Sequence, residues 1–199
     1  MHQNPYNGWS DSASRSGAPR PSVFGALPVP DASRRHAALT TFTMTSLDPT
    51  VLNCVVVGPQ GRVQYRVSTD DTLPGYTVIK RLPPPREARS IALIEWHPRH
   101  PRVEVRGSVP KQDVRDWLRM SRDQTYRTMA LREAQYTWAP DSRSAGQINL
   151  HAATHFFGRL SQHAPDSVLI ELTADALQLG LLDTAVVVAV LLHCGLNID

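Results

Sequence analysis

The chain has 199 residues, 41% of them hydrophobic, and a formal net charge of +3. That length supports one domain with a sizeable core. So small a net charge does not by itself imply a nucleic-acid partner, and a polar tail beside one globular domain fits the composition. Nineteen of the 21 basic residues are Arg, with Lys80 and Lys111 the two lysines. Arg suits bidentate phosphate contacts, but codon bias in a GC-rich genome is the plainer explanation. Cys54 and Cys194 both sit in apolar runs and read as small buried hydrophobes, with no disulfide framework. The N-terminus lacks a basic-then-apolar signal pattern, so the expectation is an intracellular, cytoplasmic protein, free or bound peripherally to a membrane.

Residues 1–36 hold five of the sixteen prolines and show no helical or alternating period. Such a segment buries too little apolar surface to offset its ordering entropy and is expected to be a disordered tail, with residues 37–199 forming the domain. From Thr40 the texture changes to short strands. Thr40–Ser46 alternates Thr with apolar residues, Asp48-Pro49 marks a turn, and Val51–Val57 reads as a second strand. Gly58–Gly61 turns the chain into Arg62–Ser68, where Val63, Tyr65 and Val67 share one face. Tyr76–Arg81 is a fourth strand. Pro83-Pro84-Pro85 cannot donate to a sheet and marks a loop or edge.

Ser90–Trp96 is nearly all apolar and reads as a central strand, followed by a rigid His97–Pro101 turn and an alternating strand Arg102–Arg106. Pro110 suits the start of a short helix over Lys111–Met120, with Val114, Trp117 and Leu118 on its buried face. Tyr126–Leu131 and Gln135–Trp138 form a hairpin through Arg132-Glu133, and further strands follow over Gln147–His151, Ala153–Leu160 and Val168–Leu172. The last stretch, Leu181–Leu196, is apolar without a break from Ala185 to Leu192. Asp183 as a cap and Gly195 at its end favour a helix over a buried strand, despite the Val content. A helix apolar all round must be buried. It is shorter than the ~20 apolar residues that span a bilayer, which makes a tail anchor the weaker reading.

Without βαβ alternation, these elements imply a mainly β fold, α+β in class: an antiparallel barrel or strongly curved sheet of about ten to twelve strands around the C-terminal helix. The expected core includes Trp96, Trp117, Trp138, Val186, Val187, Val188, Val190 and Leu191.

Tyr65-Arg-Val, Thr77-Val-Ile, Ile91-Ala-Leu-Ile-Glu-Trp96, Gly107, Trp117-Leu118, Tyr136-Thr-Trp138 and the closing Leu182-Asp183 with Val186-Val-Val and Leu191-Leu192 occur in a suggestive order. From roughly Thr40 to its end the chain resembles an uncharacterised domain family of mushroom-forming fungi. That family is similar to the tubby C-terminal-like folds, which include phospholipid scramblases and plant LURP-one-related proteins. The resemblance implies an antiparallel barrel of about a dozen strands wrapped around an apolar C-terminal helix. It brings no catalytic motif, and the Arg132-Glu133-Ala134 turn departs from the Asp-Gly type expected there.

Candidate chemistry is thin. His193 and Cys194, with Asp183, suggest a thiol nucleophile, but neighbours on a helix point about 100° apart, so a buried Cys is the better reading. His151 and His155 have zinc-protease spacing without its Glu; on one strand they would stand about 13 Å apart, too far for one metal. Neither they nor His163, His97 and His100 form a ligand set, and no metal, cofactor or catalytic group is expected. Glu95 on an apolar strand needs a partner such as Arg81 or Arg106; paired charge is favoured over a ligand-facing acid with raised pKa.

Residues 80–132 carry thirteen Lys and Arg against six acids, and the rest of the chain eight against twelve. Basic residues in the wider group can contact anionic head groups, and Lys80, Arg81, Arg102, Arg106, Lys111 and Arg115 are the candidate contacts. The expected function is therefore a non-enzymatic binding or scaffold domain for an anionic membrane surface or a protein partner. The alternatives are a hydrolase using Glu95 or histidines in a barrel-mouth pocket, and a tail-anchored protein.

Overall fold

The computed structural model describes residues 38–69, 73–82, 89–97, 99–164 and 166–199. The tail expected over residues 1–36, the Pro83–Pro85 loop and the side chain of His163 lie outside the described residues.

The first strands are β1 (Thr40–Thr45), β2 (Cys54–Val57), β3 (Val63–Ser68), β4 (Tyr76–Arg81), β5 (Arg89–Glu95), β6 (Arg102–Val105) and β7 (Val109–Asp113). A single helical turn, α1 (Val114–Trp117), then leads to β8 (Leu118–Met120). The chain continues through β9 (Arg127–Leu131), β10 (Ala134–Pro140), β11 (Gln147–Ala152), β12 (His155–Ala164) and β13 (Ser167–Leu172). Two helices close it, α2 (Ala174–Gln178) and α3 (Leu182–His193).

All thirteen strands form one sheet in the order β7-β6-β5-β4-β3-β2-β1-β13-β12-β11-β10-β9-β8. Each neighbour is the next strand in sequence, except that β1 pairs with β13, from Thr40↔Leu172 to Met44↔Val168. Every pairing is antiparallel. Thirteen strands make twelve antiparallel steps (13 − 1) from β7 to β8, an even number, so the two edge strands run in the same direction. Parallel neighbours need a crossover of about a dozen residues or more, and α1 supplies four. The sheet therefore stays open between β7 and β8. Its two edges are instead held together covalently, because β7, α1 and β8 follow one another in the chain.

Where the sequence predicts one helix over Lys111–Met120, the fold places β7, α1 and β8. Pro110 sits in edge strand β7, where a missing N–H faces no partner strand. Val114 and Trp117 still turn inward, at 0% and 3% exposure. The second strand begins at Cys54 rather than Val51, because Asp48 N–H to Asn53 O and Asn53 N–H to Thr50 O close a turn there. Val63 does not share the buried face of Tyr65 and Val67; it is 42% exposed, beside a bulge between Val56 and Val57. The strand expected over Ala153–Leu160 starts at His155, since Ala153 (φ 50°) and Thr154 make the hairpin turn.

Helix α3 is the centre of the core. Every residue from Thr184 to Leu191 is at most 2% exposed. The hydroxyl of Thr184, the polar group in that run, donates to Leu181 O at 2.9 Å. Asp183 is not the cap: Leu181 occupies that position, and no side chain caps the helix. Asp183 instead reaches Tyr65 and Arg81 on β3 and β4. At the other end Leu192 lies beside Trp138, Pro140 and Ile148 of β10 and β11, and Gly195, with φ 72°, ends the helix in the left-handed conformation. Twelve residues advance about 18 Å, so α3 reaches from one end of the β3–β4 hairpin to strands far across the sheet order. Among the described residues no helix is long and apolar enough to cross a membrane.

Candidate functional site

The six basic residues separate into two groups along the β4–β7 strands. At one end, register places Tyr76, Glu95, Arg102 and Asp113 opposite one another across four strands. Lys111 Nζ lies 2.6 Å from Glu95 Oε2, and Tyr76 Oη donates to Glu95 Oε1 at 2.8 Å. Asp113 takes Arg102 and Arg115, each at 3.6 Å, and Arg115 also meets His100 Nε2 at 3.1 Å. This end is a neutralised ladder. Glu95 thus pairs with Lys111, not with Arg81 or Arg106, and the Lys111 ammonium, then the Tyr76 hydroxyl, hold its carboxyl below the usual range. The paired charge that the sequence favours is present with a different partner, because Lys111 comes within reach only through β6–β7 pairing.

The other end is different. Arg81 packs its guanidinium over the Tyr65 ring, 5.4 Å from the centroid, and pairs with Asp183. Arg66 faces Lys80 directly across β3 and β4. Tyr65 and Val67 are buried on either side of Arg66, so its side chain projects from the outer face. Lys80 pairs onward with Ser90, and the amide of Arg106 donates to Ile91 O at 2.8 Å. Arg66, Lys80 and Arg106 therefore lie along one line over β3–β6, with about 4.8 Å between adjacent strands. Among the described residues none of the three is ion-paired. Sequence reading missed Arg66. Its partnership with Lys80 depends on a hairpin register that the loop between β3 and β4 conceals.

The remaining candidates do not converge. His151 and His155 do not share one strand: across the β11–β12 hairpin His151 pairs with Phe156 and Ala152 with His155, so the two histidines project from opposite faces. His155 Nε2 lies 3.3 Å from Asp175, and His151 stacks edge-on against Phe156. No group of three or more His, Cys, Asp or Glu among the described residues could hold a metal ion. Cys194 is buried at the far end of α3 from Asp183, and burial raises its thiol pKa. Burial likewise pushes Cys54 up to about 12. Trp117 and Trp138 are buried, while Trp96 is half-buried with its indole donating to Thr77 Oγ1 at 2.7 Å.

Among the described residues, two cavities lie on the β8–β10 side. One, of about 330 Å³, is bordered by α1 and the β9–β10 hairpin. A smaller one, of about 110 Å³, lies over Trp138, Ile148 and Leu192. Neither includes Glu95 or a histidine.

A family of unknown function, DUF6593, matches residues 48–193. No curated protein and no solved structure matches the chain.

Proposed function

We propose that this chain, which belongs to that family of unknown function, is a non-catalytic binding domain that docks on anionic lipid head groups. Its sheet would be wound into a barrel around α3, in the manner of the tubby C-terminal-like folds. The observation that carries the reading is the direct opposition of Arg66 and Lys80, with Arg106 in line and, among the described residues, none of the three ion-paired. Like charges opposite one another on a sheet face cost stability, up to about 1 kcal/mol. A negatively charged surface removes that cost and adds roughly 1 kcal/mol per basic residue near it.

The filled interior supports the non-catalytic part. Where an enzyme of this shape would keep a pocket, eight consecutive α3 residues are packed at most 2% exposed. The hydrolase reading is less favoured. Glu95 is neutralised by Lys111, and β4, β3, β2, β1 and β13 separate it in the sheet from β12, which carries His155. A tail anchor is less favoured because α3 has twelve residues and serves as core.

Co-sedimentation with phosphoinositide-containing vesicles at low salt tests the proposal. Arg66→Glu with Lys80→Glu should abolish binding, while Arg122→Glu with Arg143→Glu, the same charge change elsewhere, should leave most of it. No binding by the unaltered chain, or equal loss in both double variants, would remove the proposal.

A further inference from the structure

The stagger of β7 and β8 leaves a notch. β8 pairs with β9 from Met120↔Arg127 to Leu118↔Met129 and no further. β9 continues to Leu131, which closes the β9–β10 hairpin against Ala134. The closing pair of a two-residue hairpin is hydrogen-bonded, and the pattern alternates from there. Ala130 therefore turns its N–H and C=O away from β10, toward the place where β8 has already given way to α1. The larger cavity lies at this place, about 330 Å³ with Asp116, Trp117, Arg119, Ala130, Arg132 and Glu133 in its lining. That volume falls within the range of small-molecule sites.

Its polar groups are unusually uncommitted. Two guanidinium groups and two carboxylates line one cavity, yet among the described residues no ion pair joins or engages them. Arg132 makes one long hydrogen bond, 3.5 Å, to Leu179 O. Trp117 is 3% exposed, and its indole N–H is buried with no acceptor among the described residues. Buried donors are normally satisfied, so this one requires an explanation.

We propose that the notch is a binding site for a small zwitterion of the α-amino acid or dipeptide class. A simple anion drawn to Arg119 and Arg132 would also meet Asp116 and Glu133, and a simple cation would meet both guanidinium groups. A molecule carrying a carboxylate and an ammonium group satisfies both pairs at once. Guanidinium groups bind carboxylates with two parallel hydrogen bonds, the acids take the ammonium, and the free backbone edge of Ala130 can pair with a dipeptide's amide. This site lies on other strands than Arg66, Lys80 and Arg106 and does not depend on the lipid reading.

The test is titration of the ¹⁵N-labelled full chain with glycylglycine and with L-glutamine into the millimolar range, following the Trp117 indole N–H and the Ala130 and Glu133 amides. A saturable shift is expected with at least one of them. Arg119→Ala with Arg132→Ala should abolish it, the folded spectrum being retained because both residues are exposed. Acetate and methylamine should bind roughly tenfold or more weakly, as the loss of one charge-assisted partner implies. Asp116→Asn with Glu133→Gln should bring the dipeptide's affinity down to that of acetate. No saturable shift with either zwitterion, acetate binding as tightly as glycylglycine, or shifts unchanged in either double variant would overturn the proposal.

Discussion

The phenol of Tyr65 donates to the carboxylate of Asp183 at 2.7 Å, joining the middle of a strand to the first turn of a helix 118 residues later in the chain. Tyr65 is fully buried, and Arg81 donates to its oxygen at 2.9 Å from the solvent side. Burial first, and then Asp183, raise the phenol's pKa, so it remains a donor throughout the physiological range. This contact orients α3 where its first turn carries no side-chain cap. A hydrogen bond to a charged group contributes about 1.5–3 kcal/mol. Tyr65→Phe should lower unfolding free energy by an amount in that range, measured by urea denaturation, whereas Arg81→Ala, removing a half-exposed guanidinium, should cost less.

Val188 is 0% exposed in the middle of α3. An Asp there would be an unpaired buried charge, costing several kcal/mol against a total stability of about 5–15 kcal/mol. Val188→Asp should yield a chain without a cooperative thermal transition, while Val188→Ala should fold with a reduced melting temperature.

Gly158 on β12 has a different role from the turn glycines. A Cβ placed there would lie 2.3 Å from the backbone oxygen of Glu171 and 2.7 Å from a methyl of Leu172. Both belong to β13, the strand that joins the two halves of the sheet through β1. Gly158→Ala should destabilise by about 1–3 kcal/mol, the usual cost of overpacking. Gly61→Ala is a useful contrast: open space surrounds its Cβ, so any loss there comes from its φ of 72° alone.

Acid should weaken the fold through its depressed carboxyls, two of which are held by ion pairs. Lys111 and Tyr76 hold Glu95 below its ordinary value of 4.5, and Arg127 holds Asp199 below its ordinary 3.8. In both, the folded state binds the proton less readily than the unfolded chain. Their stabilisation is complete above the unfolded values and is lost as pH falls through the depressed folded ones. Glu95→Gln should therefore flatten the stability profile below pH ~4.5 and change its shape little near neutrality. Equal acid limbs in the two proteins would contradict the Lys111 pairing.

Much of the fold was legible because its signals are local. Alternation in Arg102–Arg106 and turn residues at Gly58–Gly61 each pointed to an element without help from elsewhere, and the unbroken apolar run of α3 marked it as buried, with Gly195 favouring a helix. The errors lie where tertiary partners decide. Pro110 favours a helix start in isolation but is equally suited to an edge strand, and that β7 is an edge emerges only from the thirteen-strand order. Glu95 was expected to pair with Arg81 or Arg106, and its actual partner was not legible because Lys111 approaches it from two strands away in the sheet. The candidate sites were less legible still. The Arg66–Lys80 opposition needs the β3–β4 register, and the notch at Ala130 needs the point where β8 stops pairing. Neither is a property of any short stretch of sequence.

Helix α3 is buried along its length, residues 184–191 being at most 2% exposed. Native-state hydrogen exchange of the amides of residues 184–191 measures this directly. They should exchange only through global unfolding, with protection free energies equal to that from denaturant titration. Exchange of this helix at a markedly lower free energy, or within minutes in native buffer, would contradict the placement of α3 and the non-catalytic reading built on it.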